Sequence, residues 1–157
     1  MGVKYILSLT EIDSQKLEEV YTDGVIKVYE NKLAFKRAFF VDNTLVANSN
    51  QEAINAMFEV NYQLSSRAVL ENIQDKKQFE KQWSVGEVNI TKYASNEVVL
   101  KTKNKKEGFL VLTDSYYPSW EAYIDGKKTE IYLTDYNFRG IIVPGGEHEV
   151  IFSNKLF

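Results

Sequence analysis

Three observations predict a mostly-β fold, an antiparallel β-sandwich of jelly-roll-like type with one short helix. Tyr 10, Phe 9 and Trp 2 stand beside abundant Val, Ile and Thr, the composition of a pleated, half-buried sheet. Turn signals arrive about every 8–12 residues through the C-terminal half, as antiparallel sandwiches require. Only one stretch carries apolar residues at helical spacing. At 157 residues the chain is expected to be a single domain over 1–157.

The elements follow in order. Val3 to Leu9 is an apolar run, and Leu17 to Tyr21 and Val25 to Glu30 flank the turn Thr22-Asp23-Gly24, where glycine can take a positive φ. Arg37 to Val41 is a further strand. Ser49 followed by Glu52 makes a capping box, and Ala53, Ile54, Met57 and Phe58 then recur on one face, predicting a helix over Ser49 to Glu59. From Gln63 through Glu71 the chain is extended, and Asn72 to Trp83 is a polar connector rich in Lys and Gln. Val85 to Tyr93 and Val98 to Thr102 form a hairpin. Phe109 to Thr113 is apolar on both faces, as expected of a central strand covered on both sides. Trp120, Ala122 and Ile124 alternate with polar neighbours, Asp125-Gly126 turns the chain, and Thr129 to Leu133 follows as one strand. Asn137 to Val143 and Glu147 to Ser153 close the series on either side of Pro144-Gly145-Gly146.

Composition narrows the function. Lys+Arg 19 against Asp+Glu 22 gives net charge -3, which lacks the surplus of cations that phosphate neutralisation needs; no nucleic-acid partner is expected. Cys is 0 and His is 1, so a thiolate metal site, a cysteine nucleophile and a His-rich metal site have no ligands. No cofactor is expected.

Four constellations carry chemistry. Asp114, Tyr116, Tyr117, Pro118 and Trp120 combine ring faces that stack on sugars with a carboxylate that accepts from hydroxyls. The structural alternative has Trp120 and one Tyr plugging the sandwich end with Pro118 at a corner, and core packing is the default fate of such rings. Glu147-His148-Glu149 suggests a metal or a base, yet on a strand His148 points away from both Glu and shares the register of Val150 and Phe152. Acid pairs such as Asp114 with Asp125, or Asp135 with Glu121, have the chemistry of a glycosidase without any spacing that demands it, and Asp125-Gly126 is explained by turn chemistry. Arg139 sits mid-strand, to pair with Asp114, Asp135 or a Glu, or to meet an anionic polymer.

An ordered series of local patterns adds a resemblance. It opens with Gly2-Val3-Lys4-Tyr5-Ile6-Leu7, Tyr29-Glu30-Asn31 and Arg37-Ala38-Phe39-Phe40-Val41, and passes through Gln51-Glu52-Ala53-Ile54 and Ala68-Val69-Leu70-Glu71. It is densest from Gly108 to Pro118, then runs through Trp120, Asp125-Gly126-Lys127, Phe138-Arg139-Gly140 and Val143 to Val150. The whole resembles the C-terminal extracytoplasmic region of YfhO-type bacterial membrane proteins. Ser119 departs from the glycine usual before Trp, and Lys36 from the proline before Arg.

That resemblance implies a polytopic membrane protein similar to lipid-sugar-dependent glycosyltransferases, acting on cell-envelope polymers such as lipoteichoic acid. The chain would be a segment of it, on the extracytoplasmic face of the membrane and without the catalytic carboxylates, which such enzymes carry in loops of the membrane part. Its expected partners are the membrane-embedded part of the same polypeptide and a cell-envelope glycopolymer. Its expected role is non-catalytic: positioning the acceptor or packing on the membrane part, with Asp114, Tyr116, Tyr117, Trp120 and Arg139 as candidate glycan-binding residues. The alternative is an independent carbohydrate-binding module using surface aromatics.

Overall fold

The structure, a computed structural model, describes residues 2–59 and 65–156; the expected extended stretch beginning at Gln63 starts outside them. Fourteen strands and one α-helix are found among the described residues. Where the sequence predicts one domain, the chain divides into two compact units, Met1–Arg37 and Ala38–Phe157.

Unit 1 is a three-stranded antiparallel sheet of β1 (Tyr5–Ser8), β2 (Leu17–Asp23) and β3 (Ile26–Asn31), in the order β1-β3-β2. Gly24, at φ 56°, makes the tight β2–β3 turn that the sequence predicts. Tyr29 is buried, and its hydroxyl accepts from the Ile12 amide at 3.0 Å.

Unit 2 opens with β4 (Ala38–Val41), β5 (Asn43–Ala47), α1 (Asn50–Met57) and β6 (Arg67–Glu71). Then come β7 (Glu87–Tyr93), β8 (Glu97–Asn104), β9 (Gly108–Leu112), β10 (Trp120–Ile124), β11 (Lys127–Thr129), β12 (Tyr132–Thr134), β13 (Phe138–Val143) and β14 (Gly146–Asn154). One sheet runs β11-β10-β14-β8-β7 and the other β4-β9-β13-β12-β6-β5. The chain alternates between the two sheets, β7–β8 to β9, β10–β11 to β12–β13, then β14, as a jelly-roll-like sandwich does. All pairings are antiparallel except β5–β6, which is parallel and bridged by α1.

Helix and turns form for local reasons. The Ser49 hydroxyl accepts from the Glu52 amide at 3.2 Å, as predicted. The Glu52 carboxylate reaches one residue further back than a simple capping box, to the Asn48 amide at 2.7 Å. The helix stops at Met57, slightly before the predicted end, and buries Ala53 and Ala56 while Phe58 stands exposed. Thr129 to Leu133 is not one strand: it breaks at Glu130, because Ile131 drops into the layer between the sheets and the chain crosses from one to the other.

Two apolar layers hold unit 2 together. Between the sheets lie Phe40, Leu100, Leu110, Leu112, Ile141, Val150 and Phe152. On the outer side of the six-stranded sheet, Phe79 and Trp83 come from the polar connector to pack on Phe109, Val111 and Leu70. β9 is therefore buried along its whole length, the double coverage its sequence predicts. Gly140 is needed on β13, since a Cβ there would lie 2.4 Å from the Phe109 ring.

Candidate functional site

Four chain segments meet at one end of the sandwich. The β9–β10 loop is bonded to the β12–β13 turn by the Tyr116 amide donating to the Asn137 carbonyl at 2.7 Å, and by the Asn137 amide group to the Ser115 hydroxyl at 3.2 Å. It is bonded to the C-terminal segment by Lys155 N–H to the Ser119 carbonyl at 3.0 Å, which in turn meets the β7–β8 loop through Asn154 N–H and the Asn96 carbonyl at 2.9 Å.

Arg139 anchors this end from within. It leaves β13 toward the layer between the sheets and is 3% exposed. Its guanidinium carbon lies 3.7 Å from the Trp120 ring centroid and 5.8 Å from that of Phe152. Nε donates to the Ser115 carbonyl at 3.0 Å, and Nη2 stands 4.0 Å from an Asp114 carboxylate oxygen, while Nη1 finds no partner. Burial pulls the guanidinium below its ordinary range and Asp114 opposes that shift, so the side chain remains a cation. The other Asp114 oxygen accepts from the Tyr93 hydroxyl at 2.9 Å.

The β12–β13 turn is held by two buried acids. Asp135 and Tyr136 both adopt positive φ, 48° and 70°, a costly conformation for a residue with a bulky ring. An Asp135 oxygen accepts from the Val69 amide at 2.8 Å, and the Asp135 amide donates to the Val69 carbonyl at 2.7 Å. Glu71 accepts from the Tyr136 amide, and its burial raises its pKa. The result is a Tyr136 ring held out at 50% exposure.

The predicted residues thus separate into two kinds. Asp114, Trp120 and Arg139 come together as a stacked, mostly enclosed unit, with one face of Trp120 taken by the guanidinium. Tyr116 is half-buried, and Tyr117 is 60% exposed. Sequence reasoning missed Tyr93 and Tyr136, which are 52% and 50% exposed on the adjoining segments. Three exposed tyrosines therefore stand on these adjoining segments, one of them bonded to the Asp114 carboxylate, and such rings can stack on apolar ring faces and exchange hydrogen bonds.

The other constellations lie apart. His148 Nδ1 is 2.6 Å from an Asp125 oxygen and Nε2 is 3.3 Å from the Gly145 carbonyl, so its ring joins two turns. Glu121 is drawn down to about 2 by Lys128, Lys155 and the Tyr123 hydroxyl. An Asp135 oxygen is engaged with the Val69 amide and Asp125 with His148, the latter in keeping with the turn role expected of Asp125-Gly126. Among the described residues, no three of His, Cys, Asp or Glu are placed to hold a metal ion, and no helix is long and apolar enough to cross a membrane.

No curated protein and no solved structure matches this chain. The family described as "Bacterial membrane protein YfhO" matches residues 68–154, which run from β6 to the last residue of β14 and include Tyr93, Asp114, Tyr116, Tyr117, Trp120, Tyr136 and Arg139. With more than half its length matched, over most of both apolar layers, the chain belongs to the YfhO family of bacterial membrane proteins.

Proposed function

We propose that unit 2 is a non-catalytic accessory domain of a YfhO-like membrane glycosyltransferase, placed on the extracytoplasmic face, where it positions a cell-envelope glycopolymer acceptor. The observation that supports this reading is the trio Tyr93, Tyr117 and Tyr136, exposed on chain segments that are bonded to one another, with the Tyr93 hydroxyl on Asp114. Such rings bind by stacking and hydroxyl exchange, with little entropy to lose because each has only two side-chain torsions. The charge of Arg139 is committed to Trp120 and Ser115, so it shapes the platform from beneath.

The test is affinity electrophoresis of the chain in gels containing purified cell-wall glycopolymer. Retardation is expected, and Tyr117→Ala and Tyr136→Ala should each weaken it about tenfold, the equivalent of roughly 1.4 kcal/mol. Both positions are exposed, so neither variant should unfold. Retardation unchanged in the double variant, or absent in the parent chain, would sink the proposal.

A further inference from the structure

Charge decides what the tyrosine-bearing end of unit 2 can hold. The four segments that meet there span residues 93–96, 113–119, 135–137 and 154–156, and their exposed side chains are of uncharged types with the exception of Lys155. Lys155 is bonded to Glu121 at 2.5 Å, a carboxylate that it shares with Lys128. Lys92, beside Tyr93, is paired with Glu97. Arg139 is enclosed, stacked on Trp120 with Asp114 alongside. The two acids of these segments are engaged as well: Asp135 is buried against the Val69 amide, and Asp114, its side chain 12% exposed, accepts from the Tyr93 hydroxyl. Backbone donors are committed in the same way. The amides of Tyr116, Trp120, Asn154 and Lys155 donate to carbonyls of the segments themselves, and that of Tyr136 donates to Glu71.

We infer that this end takes uncharged sugar residues of the glycopolymer and leaves the polymer's anionic groups in solvent. The inference rests on the acceptor-positioning reading and names the chemical class that the site recognises. A phosphate or carboxylate is held by an uncommitted guanidinium or ammonium group, or by a nest of unbonded amides. The cations and amides named above already have partners within the fold, so an anion would have to displace Glu121, Glu97 or a carbonyl to reach one. An uncharged pyranose asks for something else: a flat ring to cover its C–H face, and neutral donors and acceptors for the hydroxyls at its rim. The exposed rings of Tyr93, Tyr117 and Tyr136 offer the first. The hydroxyls of Tyr117 and Tyr136 and the exposed side chains of Asn96 and Asn137 offer the second.

Isothermal titration calorimetry of the chain with three probes tests this. The probes are the purified cell-wall glycopolymer, the uncharged oligosaccharides that pass an anion-exchange column after its partial hydrolysis, and inorganic polyphosphate. The glycopolymer and the oligosaccharides should both bind, Tyr117→Ala should weaken both about tenfold, and polyphosphate should give no binding heat. Between about 50 and 500 mM NaCl the Kd for the glycopolymer should change less than about twofold, whereas a site that neutralised two phosphates would weaken by more than about tenfold. Binding of polyphosphate, silence of the oligosaccharides beside a binding glycopolymer, or a salt effect of that larger size overturns the inference. In each of those cases a glycopolymer affinity that still falls in Tyr117→Ala keeps the positioning reading standing. A glycopolymer that binds at neither salt concentration removes the positioning reading, and this inference with it.

Discussion

Arg139 shows how a single residue links the core to the candidate site. Its guanidinium is removed from water, stacked on Trp120, bonded to Ser115, and left with Nη1 unpaired. A buried charge of this kind contributes through shape and stacking as much as through its pair, and an apolar replacement of similar volume can cost little. Arg139→Lys keeps the charge but loses the planar stack and the fork, and should destabilise by about 1–3 kcal/mol. Arg139→Met should cost less in urea denaturation, because it also removes the unpaired donor and leaves Asp114 with the Tyr93 hydroxyl. The opposite order would mean that the pairing with Asp114 outweighs packing. At this scale Asp114, Tyr117, Trp120 and Arg139 were legible, because loop aromatics beside an acid are conspicuous in sequence. Tyr93 and Tyr136 were not. Tyr93 reaches Asp114 across 21 residues of sequence, and the exposure of Tyr136 follows from clamps by Glu71 and Asp135 that only the folded chain brings together.

Between elements, the Asp125–His148 pair ties the β10–β11 turn to the start of β14. Asp125, at φ 48°, accepts from the Glu149 amide with one oxygen at 2.9 Å and faces His148 with the other. The bond to Asp125 holds His148 above its ordinary range, and His148 holds Asp125 below its own. For the histidine the folded pKa is raised, so its stabilisation is complete below the unfolded value of about 6.5 and is lost as pH rises through the folded one. Thermal melts should therefore fall from pH 6 toward pH 9, and His148→Asn should flatten that slope; an unchanged slope would show that the pair is not linked to folding. Hairpins of this kind were readable from Asp-Gly and Gly-Gly signals. The parallel β5–α1–β6 crossover was not, because the sequence of β5, Asn43-Thr44-Leu45-Val46-Ala47, shows no polar/apolar alternation and its partner lies beyond the helix. The connector from Asn72 to Trp83 was equally misleading: its Lys and Gln content hides Phe79 and Trp83, whose burial is decided by Phe109 and Tyr132 across the sheet.

Across the whole molecule, apolar residues serve opposite ends in the two units. In unit 2 they are enclosed: Phe109 is fully buried with ring centroids of Phe79, Trp83 and Tyr132 at 6.2, 5.7 and 6.2 Å, and burial pushes the Tyr132 phenol up to about 12. In unit 1 they face outward, with Val25 at the hairpin tip 71% exposed and Leu7 68%. Composition alone cannot separate these cases, since both units are rich in β-formers and the presence of a second layer decides which side chains are enclosed. Stability should register the difference directly. Phe109→Ala empties the centre of an aromatic cluster and should cost about 3–5 kcal/mol. Leu7→Ser and Val25→Ser remove contacts with water and should stay within about 0.5 kcal/mol of the parent chain. Equilibrium urea unfolding of the three variants reads all of these values in one format. If Leu7→Ser proved as damaging as Phe109→Ala, the face it occupies would already be covered within this chain, and the outward apolar surface of unit 1 would belong to its own core.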